Sequence, residues 1–431
     1  MKTGKLLQGA CSLAFLAAIA IGQALGADSG ALRVGTAKVD ITPSDPSRVT
    51  TLWEVPFTGV HDRTYARIIV IDNGVTSAAL VAIDTVELTD ASSLVARIAK
   101  ETGISAANIV LAASHAHSTP MWSLINAEGQ RKAGPGGAAF LAKVSDDLVA
   151  GIKQAEANLQ PARVGVGSGT ADINVNRDVS NGHGGYGFGV NPNGPSDKTV
   201  WVLKFESLTG EPLALFINYS VHATVVGSRN SLLSADLPGA TSRYVEQAYG
   251  VKVVALWTSG AAGDQHPVIS TEGSDTQQAF KAVGDLGQTL GKEIVRVANS
   301  ITDANAKVKL WGADKTYTCP GKKAITGPHP DGPTTVEATG PVSLRLGVLM
   351  IDKIALTQVS AEVYTKIYWE MRQKSPFADT LMVTLVNGRA GYIPDDASYD
   401  LGTQEAVGST FQKGCGETTI VNGLADLMKQ Y

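Results

Sequence analysis

The chain reads as an α/β protein: a mixed β-sheet flanked by helices on both faces, with its chemistry at the strand ends. Three observations predict this. Short apolar runs rich in Val, Ile and Leu recur along the chain, helix-length segments separate several of them, and ligand-type residues stand just beyond the runs. Taken in order, 32–39, 66–71, 78–83 and 109–113 read as strands, with a helix at 91–102 before the last. A longer amphipathic helix follows at 138–157. Strands are expected at 163–166, 200–205, 213–219 and 251–256, then a helix at about 275–299. Strands at 307–317, 344–351 and 353–358, a helix from near Glu362, and a strand at 380–386 complete the pattern. Continuous apolar strands mean burial on both faces, which helices provide. Two stretches, 181–198 and 319–340, are rich in Gly with Asn, Pro or Thr and read as long loops of the kind that border binding sites. No internal repeat and no domain boundary stands out.

Composition narrows the function classes. Hydrophobic residues make up 44% of the 431-residue chain and charged residues 18%, which suits a packed globular core rather than disorder. The formal net charge is −4 and no long basic run occurs, so nucleic acid and anionic membrane surfaces are not the expected partners. A small molecule or a lipid is the expected substrate, and nothing in the sequence sets the oligomeric state.

The N-terminus has the form of a secretory signal. Lys2 and Lys5 precede an apolar stretch at 12–21, and small residues follow at Ala24, Gly26 and Ala27. Residues 1–27 are therefore expected to be removed, leaving 28–431 as one exported domain, periplasmic or secreted, with no integral membrane segment. Of the three cysteines, Cys11 falls in the signal. Cys319 and Cys415 form an even pair in an oxidising compartment, which suggests one disulfide, and neither has a second Cys at zinc-ligand spacing.

The most informative segment is Ala113-Ser114-His115-Ala116-His117-Ser118, at the end of the apolar run 108–112. Two imidazoles two residues apart on an extended chain point to one side. They bring a metal ligand and a proton carrier to one spot. Other runs end in the same way. His222 follows the run at 216–221, Glu362 follows Val359-Ser360-Ala361, and Tyr392 follows the turn Asn387-Gly388-Arg389-Ala390-Gly391. Neighbouring strand ends converge, and sites form there.

With these segments in view, the chain resembles the catalytic N-terminal domain of the neutral (non-lysosomal) ceramidase family. The marks run in order through 34–43, Gly59-Val60-His61-Asp62, 114–118, 173–177, His222-Ala223-Thr224, 234–239 and Gly263-Asp264. The resemblance implies one zinc ion bound by His115, His222, Glu362 and Tyr392, with His117 moving a proton and Arg177 contacting the polar head of the substrate. Zinc suits imidazole and carboxylate ligands, and it lowers the pKa of a bound water to about 7, so that hydroxide attacks an amide or ester carbonyl at neutral pH. An exported zinc hydrolase of ceramide or another N-acyl lipid is the expected activity.

The chain also departs from the family pattern. His266 stands in Gly263-Asp264-Gln265-His266-Pro267 where the family has a catalytic serine, and it joins the expected site residues on that ground. Gln404 precedes Glu405 where the family has a tyrosine, and Tyr399 is the phenol nearest in sequence. The family's C-terminal immunoglobulin-like domain is not expected within these 431 residues. These departures leave two rivals open: a zinc- or ligand-binding protein without turnover, and a two-metal hydrolase that uses His117 and His266 on a non-lipid substrate. Asp84, Asp236 and Asp264 read as turn formers or as acids supporting the site.

Overall fold

The computed structural model describes Met1 and residues 29–431, apart from 90, 123–133, 184, 228, 251, 270, 272–275 and 324–336. The signal-like segment and Cys11 lie outside the described residues. The principal strands in chain order are β1 (Arg33–Asp40), β2 (Tyr65–Asp72), β3 (Ser77–Ile83), β4 (Ile109–Ala113), β5 (Gln160–Thr170), β6 (Asn174–Ser180), β7 (Tyr186–Asn191) and β8 (Thr199–Ser207). They continue as β9 (Pro212–Tyr219), β10 (Val254–Ser259), β11 (Gln265–Pro267), β12 (Leu310–Lys322), β13 (Ala338–Ile351), β14 (Ile354–Val359), β15 (Glu362–Val363), β16 (Thr380–Thr384) and β17 (Tyr392–Ile393). The main helices are α1 (Ser92–Thr102), α2 (Gly137–Ala157), α3 (Asp236–Tyr249), α4 (Thr276–Ser300), α5 (Thr365–Lys374), α6 (Asp396–Leu401), α7 (Gln404–Gly408) and α8 (Gly416–Met428).

The fold is the expected mixed α/β architecture. One eight-stranded sheet runs β10-β9-β8-β5-β1-β2-β3-β4, parallel at its two ends and antiparallel between. Its two halves meet through only two residue pairs, Arg33 with Pro161 and Val34 with Gln160. The sheet turns there, so Ile69 and Leu80 of one half share an inner core with Leu203 and Phe216 of the other. Helices cover the outer faces. Ile68 and Val81 pack under α1 and α2, and Val202 and Ile217 pack under α3 and α4. Both faces of these strands are buried, which explains their unbroken apolar runs.

Helix patterning agrees with the packing. In α4 the buried positions Val283, Leu286, Leu290, Ile294 and Val297 recur at three- and four-residue spacing. Each such side chain contributes about 1.5–3 kcal/mol by leaving water. Gly151 lets α2 lie close on the sheet, since a Cβ there would meet Ile68 Cδ1 at 2.6 Å and Val39 Cγ2 at 2.7 Å.

A second sheet, β12-β13-β14-β16, adds to the inner core through Leu349, Leu356 and Val383, and packs its other face on α5 and α8. Cys319 of β12 is bonded to Cys415 at the start of α8, with 5.8 Å between the Cα atoms and 96 residues between them in sequence. The pairing suggested by the sequence is therefore present.

Two expectations are corrected and one boundary shifts. Part of the long loop at 181–198 is strand β7, which forms a hairpin with β6, and a short three-stranded sheet β11-β6-β7 results. Of the loop at 319–340, the start belongs to β12 and the end to β13, while 324–336 lies outside the described residues. The helix expected from near Glu362 begins three residues later. That residue sits on the two-residue strand β15, and α5 begins at Thr365.

Candidate metal site at the strand ends

Strand β4 stops at Ala113, and His115 takes a left-handed backbone with φ 65°. The two histidines are therefore not neighbours on an extended strand, as the sequence suggested. A turn brings them together instead, held by Ser114 N–H to Ile83 O at 2.9 Å and His115 N–H to Thr85 O at 3.0 Å. The chain beyond β4 then lies beside the chain beyond β9, with Ala116 bridged in parallel to Ala223. His115 and His222 each precede a bridged alanine, so both imidazoles reach the same place. Their rings are 4.5 Å apart.

Glu362 and Tyr392 form the second pair. They stand directly opposite each other in the parallel β15–β17 pairing. The turn ahead of Tyr392 is pinned by Asn387, itself at φ 55°. Its side chain accepts from Leu111 N–H at 2.9 Å and donates to Ile109 O at 2.7 Å. Asn tolerates the left-handed conformation better than a β-branched residue.

The polar atoms of this cluster fit a cation. His115 Nδ1 lies 2.8 Å from Val86 O, and His222 Nδ1 lies 2.7 Å from Ala262 O. A carbonyl only accepts, so each Nδ1 carries the hydrogen, and each neutral ring turns its Nε2 lone pair inward. Burial pushes His222 well below the usual imidazole pKa, which keeps that ring neutral. The two Nε2 atoms stand 3.2 and 3.1 Å from Glu362 Oε2, and Tyr392 Oη is 3.1 Å from His222 Nε2. One phenolic hydrogen cannot serve the three acceptors that converge with it. Ligands about 2.0 Å from a tetrahedral zinc stand about 3.3 Å apart, close to the spacing of these atoms. His115, Glu362 and His222 are all at most 5% exposed. His117 completes a three-histidine group whose ligand atoms lie within 4.8 Å of one another, with its Nε2 3.5 Å from that of His115. Burial, then His115 and His222, push His117 well below the imidazole range.

Arg177 and His266 border the cluster from the β11-β6-β7 sheet. The Arg177 guanidinium carbon lies 5.5 Å from the Tyr392 ring centre, and its Nη2 donates to Gly263 O at 2.7 Å. Arg177 is also ion-paired with Glu405. His266 has its ring 6.4 Å from that of His222 and is not one of the three-histidine group. Tyr399 bonds Ser409, and the phenol that donates to Glu405 Oε2, at 3.0 Å, is Tyr364. Tyr364, Asp178 and Phe188 are site neighbours that the sequence did not single out; the alternation Tyr364 shares with Glu362 was the available signal. Of the three aspartates, Asp84 pairs with Arg67 in the core, Asp236 opens α3, and Asp264 accepts from Thr365 N–H and Oγ1–H at 3.0 and 2.8 Å.

Asp178 carries a pH prediction. Burial, then the carboxylates of Glu405 and Asp264, push it up to about 7, against the opposing pull of Arg177 and the Tyr364 hydroxyl. The native state then holds a proton that the unfolded chain releases near pH 4, so stability falls as pH rises from about 4 to 7. Asp178→Asn removes this loss. Its gain over wild type is expected to be absent near pH 4 and to reach about 2–4 kcal/mol at pH 8. Urea unfolding at the two pH values checks it, and a gain at pH 4 that vanishes at pH 8 would reverse the sign and refute the account.

The sequence of this scaffold matches a known group. Residues 34–291, more than half of the chain, match the profile described as neutral/alkaline non-lysosomal ceramidase, N-terminal. The chain belongs to this ceramidase family. It is 29% identical over 274 residues to the neutral ceramidase of Pseudomonas aeruginosa, covering 58% of this chain and 39% of that protein. It is 25% identical over 285 residues to the neutral ceramidase of Drosophila pseudoobscura pseudoobscura, covering 60% and 39%. The matches thus span about two-fifths of the length of these ceramidases. The crystal structure of neutral ceramidase from Pseudomonas aeruginosa superposes with a TM-score of 0.77 at 20% identity, covering 93% of this chain and 74% of that one. A solved ceramidase complexed with C2 gives 0.77 at 19% identity, covering 93% and 76%. The fold is therefore that of a neutral ceramidase. Glu362, Tyr392 and Glu405 lie beyond the matched residues 34–291.

Proposed function

We propose that this ceramidase-family protein is a zinc-dependent hydrolase that splits the amide of a ceramide-like N-acyl lipid, with an ester as the alternative bond. The observation that carries this reading is the convergence of His115 Nε2, His222 Nε2, Glu362 Oε2 and Tyr392 Oη with too few hydrogens to bond one another. These four residues would hold the metal, and a mixed nitrogen and oxygen set suits zinc. When bound, the metal supplies a Lewis acid for the scissile carbonyl and lowers the pKa of water. His117, neutral through burial, takes a proton from the attacking water and returns it to the amine nitrogen as the C–N bond breaks. Arg177, positioned by Glu405 and Gly263 O, donates to the carbonyl oxygen as charge develops there. Acid and amine leave.

Residues 28–431 form one catalytic unit in this proposal, since the site draws on segments from 115 to 405. Export rests on the signal-like N-terminus, and the Cys319–Cys415 bond is in keeping with an oxidising compartment. Among the described residues, no helix is long and apolar enough to cross a membrane.

The test is metal content by mass spectrometry, paired with turnover of a fluorogenic N-acyl amide before and after chelation. About one zinc per chain, with turnover lost on chelation and restored by zinc, is expected. Zinc without turnover on amide and ester panels would favour a binding role, two metals per chain would favour the two-metal rival, and a metal-free protein would end the assignment.

A further inference from the structure

The four converging ligand atoms come from two halves that are built separately. His115 is oriented by the loop after β3: its N–H bonds Thr85 O at 3.0 Å, and its Nδ1–H bonds Val86 O at 2.8 Å. Glu362 and Tyr392 are oriented by the turn before β17: Glu362 N–H bonds Gly391 O at 2.9 Å, and Ala390 N–H bonds Ser360 O at 2.5 Å. Arg389 stands in that turn and has no part in the chemistry described above. Its Nε lies 2.5 Å from Oε2 of Glu87, the residue that follows Val86. The ion pair therefore joins the loop that holds His115 to the turn that presents Tyr392.

Burial and local backbone set this pair apart from an ordinary surface contact. The Glu87 side chain is 5% exposed and that of Arg389 38%, so the carboxylate is enclosed and the guanidinium closes over it from the rim. An enclosed carboxylate is held firmly to its cation, because separating them leaves a charge that the surroundings solvate poorly. The turn needs such an anchor. Gly388 and Gly391 bracket Arg389, with Gly391 at φ 85°, and glycine leaves a chain segment free to move. Arg389 also feels the oxygen ligands. Burial opposes its charge, but Glu87, then Glu362 and Tyr392, hold its pKa above the ordinary value, so it stays a cation between the two halves. We infer that the Glu87–Arg389 pair clasps the two halves of the ligand set together, which makes both residues positioning residues for the metal site. This rests on the metal-dependent reading only for what the four ligands hold. Ligands must keep their places to within about 0.5 Å, and groups that support them are worth about 10- to 100-fold in metal affinity.

The experiment reads zinc affinity, by competition with a chromogenic chelator, and backbone hydrogen exchange, both on the full chain. Glu87→Gln and Arg389→Met are each expected to weaken zinc binding about tenfold. Charge alone predicts opposite signs: losing the Glu87 carboxylate weakens cation binding, and losing the Arg389 cation strengthens it. The double variant is expected to bind no more weakly than either single one, since a clasp opens only once. Arg389→Lys should recover part of the loss. In the zinc-free protein, Arg389→Met should speed exchange at 111–117, on the other half of the site, as well as at 359–363, and leave 66–71 of β2 unchanged. A general loss of stability would speed all three. Zinc binding unchanged or tightened in Arg389→Met, single losses that multiply in the double variant, or unaltered exchange at 111–117 would overturn the inference. A wild type that binds no zinc sinks the metal-dependent reading, and exchange then decides the clasp by itself. Zinc-dependent turnover with 111–117 unmoved in Arg389→Met sinks the clasp alone.

Discussion

His115→Ala is expected to abolish both metal binding and turnover. Its Nε2 is one of four converging ligand atoms, 3.2 Å from Glu362 Oε2. Without it the remaining three no longer enclose a cation. A Lewis acid at the scissile carbonyl is worth several kcal/mol in the transition state, so kcat/KM should fall by at least about 1,000-fold. Metal content should drop from about one per chain to under a tenth. The lost bond to Val86 O lowers stability by only about 1–3 kcal/mol, so the variant remains folded at room temperature. His117→Ala gives the contrast. It should keep most of the metal and lose about 100- to 10,000-fold in rate, the usual worth of a positioned acid or base. If His117→Ala loses the metal while His115→Ala retains it, the two imidazoles have been assigned the wrong way round.

Glu405→Ala is expected to be among the most destabilising single changes near the site. Arg177 and Glu405 face each other with side chains 5% and 1% exposed. Removing one member of a buried ion pair leaves the other charged in a medium that solvates it poorly, at about 3–5 kcal/mol. The same truncation takes the acceptor from the Tyr364 hydroxyl. Asp178 loses the like charge of Glu405 and keeps the pull of Arg177. Its pKa should fall, and the loss of stability between pH 4 and 7 should flatten with it. Glu405→Gln keeps the shape and the acceptor, and should fall between wild type and Glu405→Ala. Urea unfolding at pH 5 and pH 8 reads all of these effects. A Glu405→Ala protein as stable as wild type would show that solvent reaches Arg177 and that the pair is dispensable.

Much of this arrangement was legible in the sequence because the carriers are local. His115, His222 and Tyr392 each follow an apolar run, and burial on both faces keeps such runs unbroken. The partnerships were not legible. Nothing in Gly-Thr-Gln-Glu at 402–405 announces that Glu405 meets Tyr364, because the contact depends on how α7 packs near β17 and β7. The left-handed turn at His115 was also hidden, since two histidines at alternate positions suit an extended strand equally well. Strand β7 was missed for a different reason. In Tyr186-Gly187-Phe188-Gly189-Val190 the glycines read as loop punctuation, yet they fall on every second position and leave Tyr186, Phe188 and Val190 on one face. At Gly189 a Cβ would press on Val179 Cγ2 at 2.8 Å, so the strand pairs closely only with glycine there.

The turn that sets Tyr392 has a second consequence. Strand β4 is the last of the eight-stranded sheet, and its outer backbone groups are a template for any passing strand. The segment 385–387 occupies them. Val386 bridges Ala112, Ala113 N–H bonds Leu385 O, and the Asn387 amide takes Leu111 N–H and Ile109 O as a ninth strand would. The chain thereby shields its own most apolar strand from intermolecular β-pairing. Colloidal stability and the placement of the Tyr392 phenol are thus tied to the same three residues.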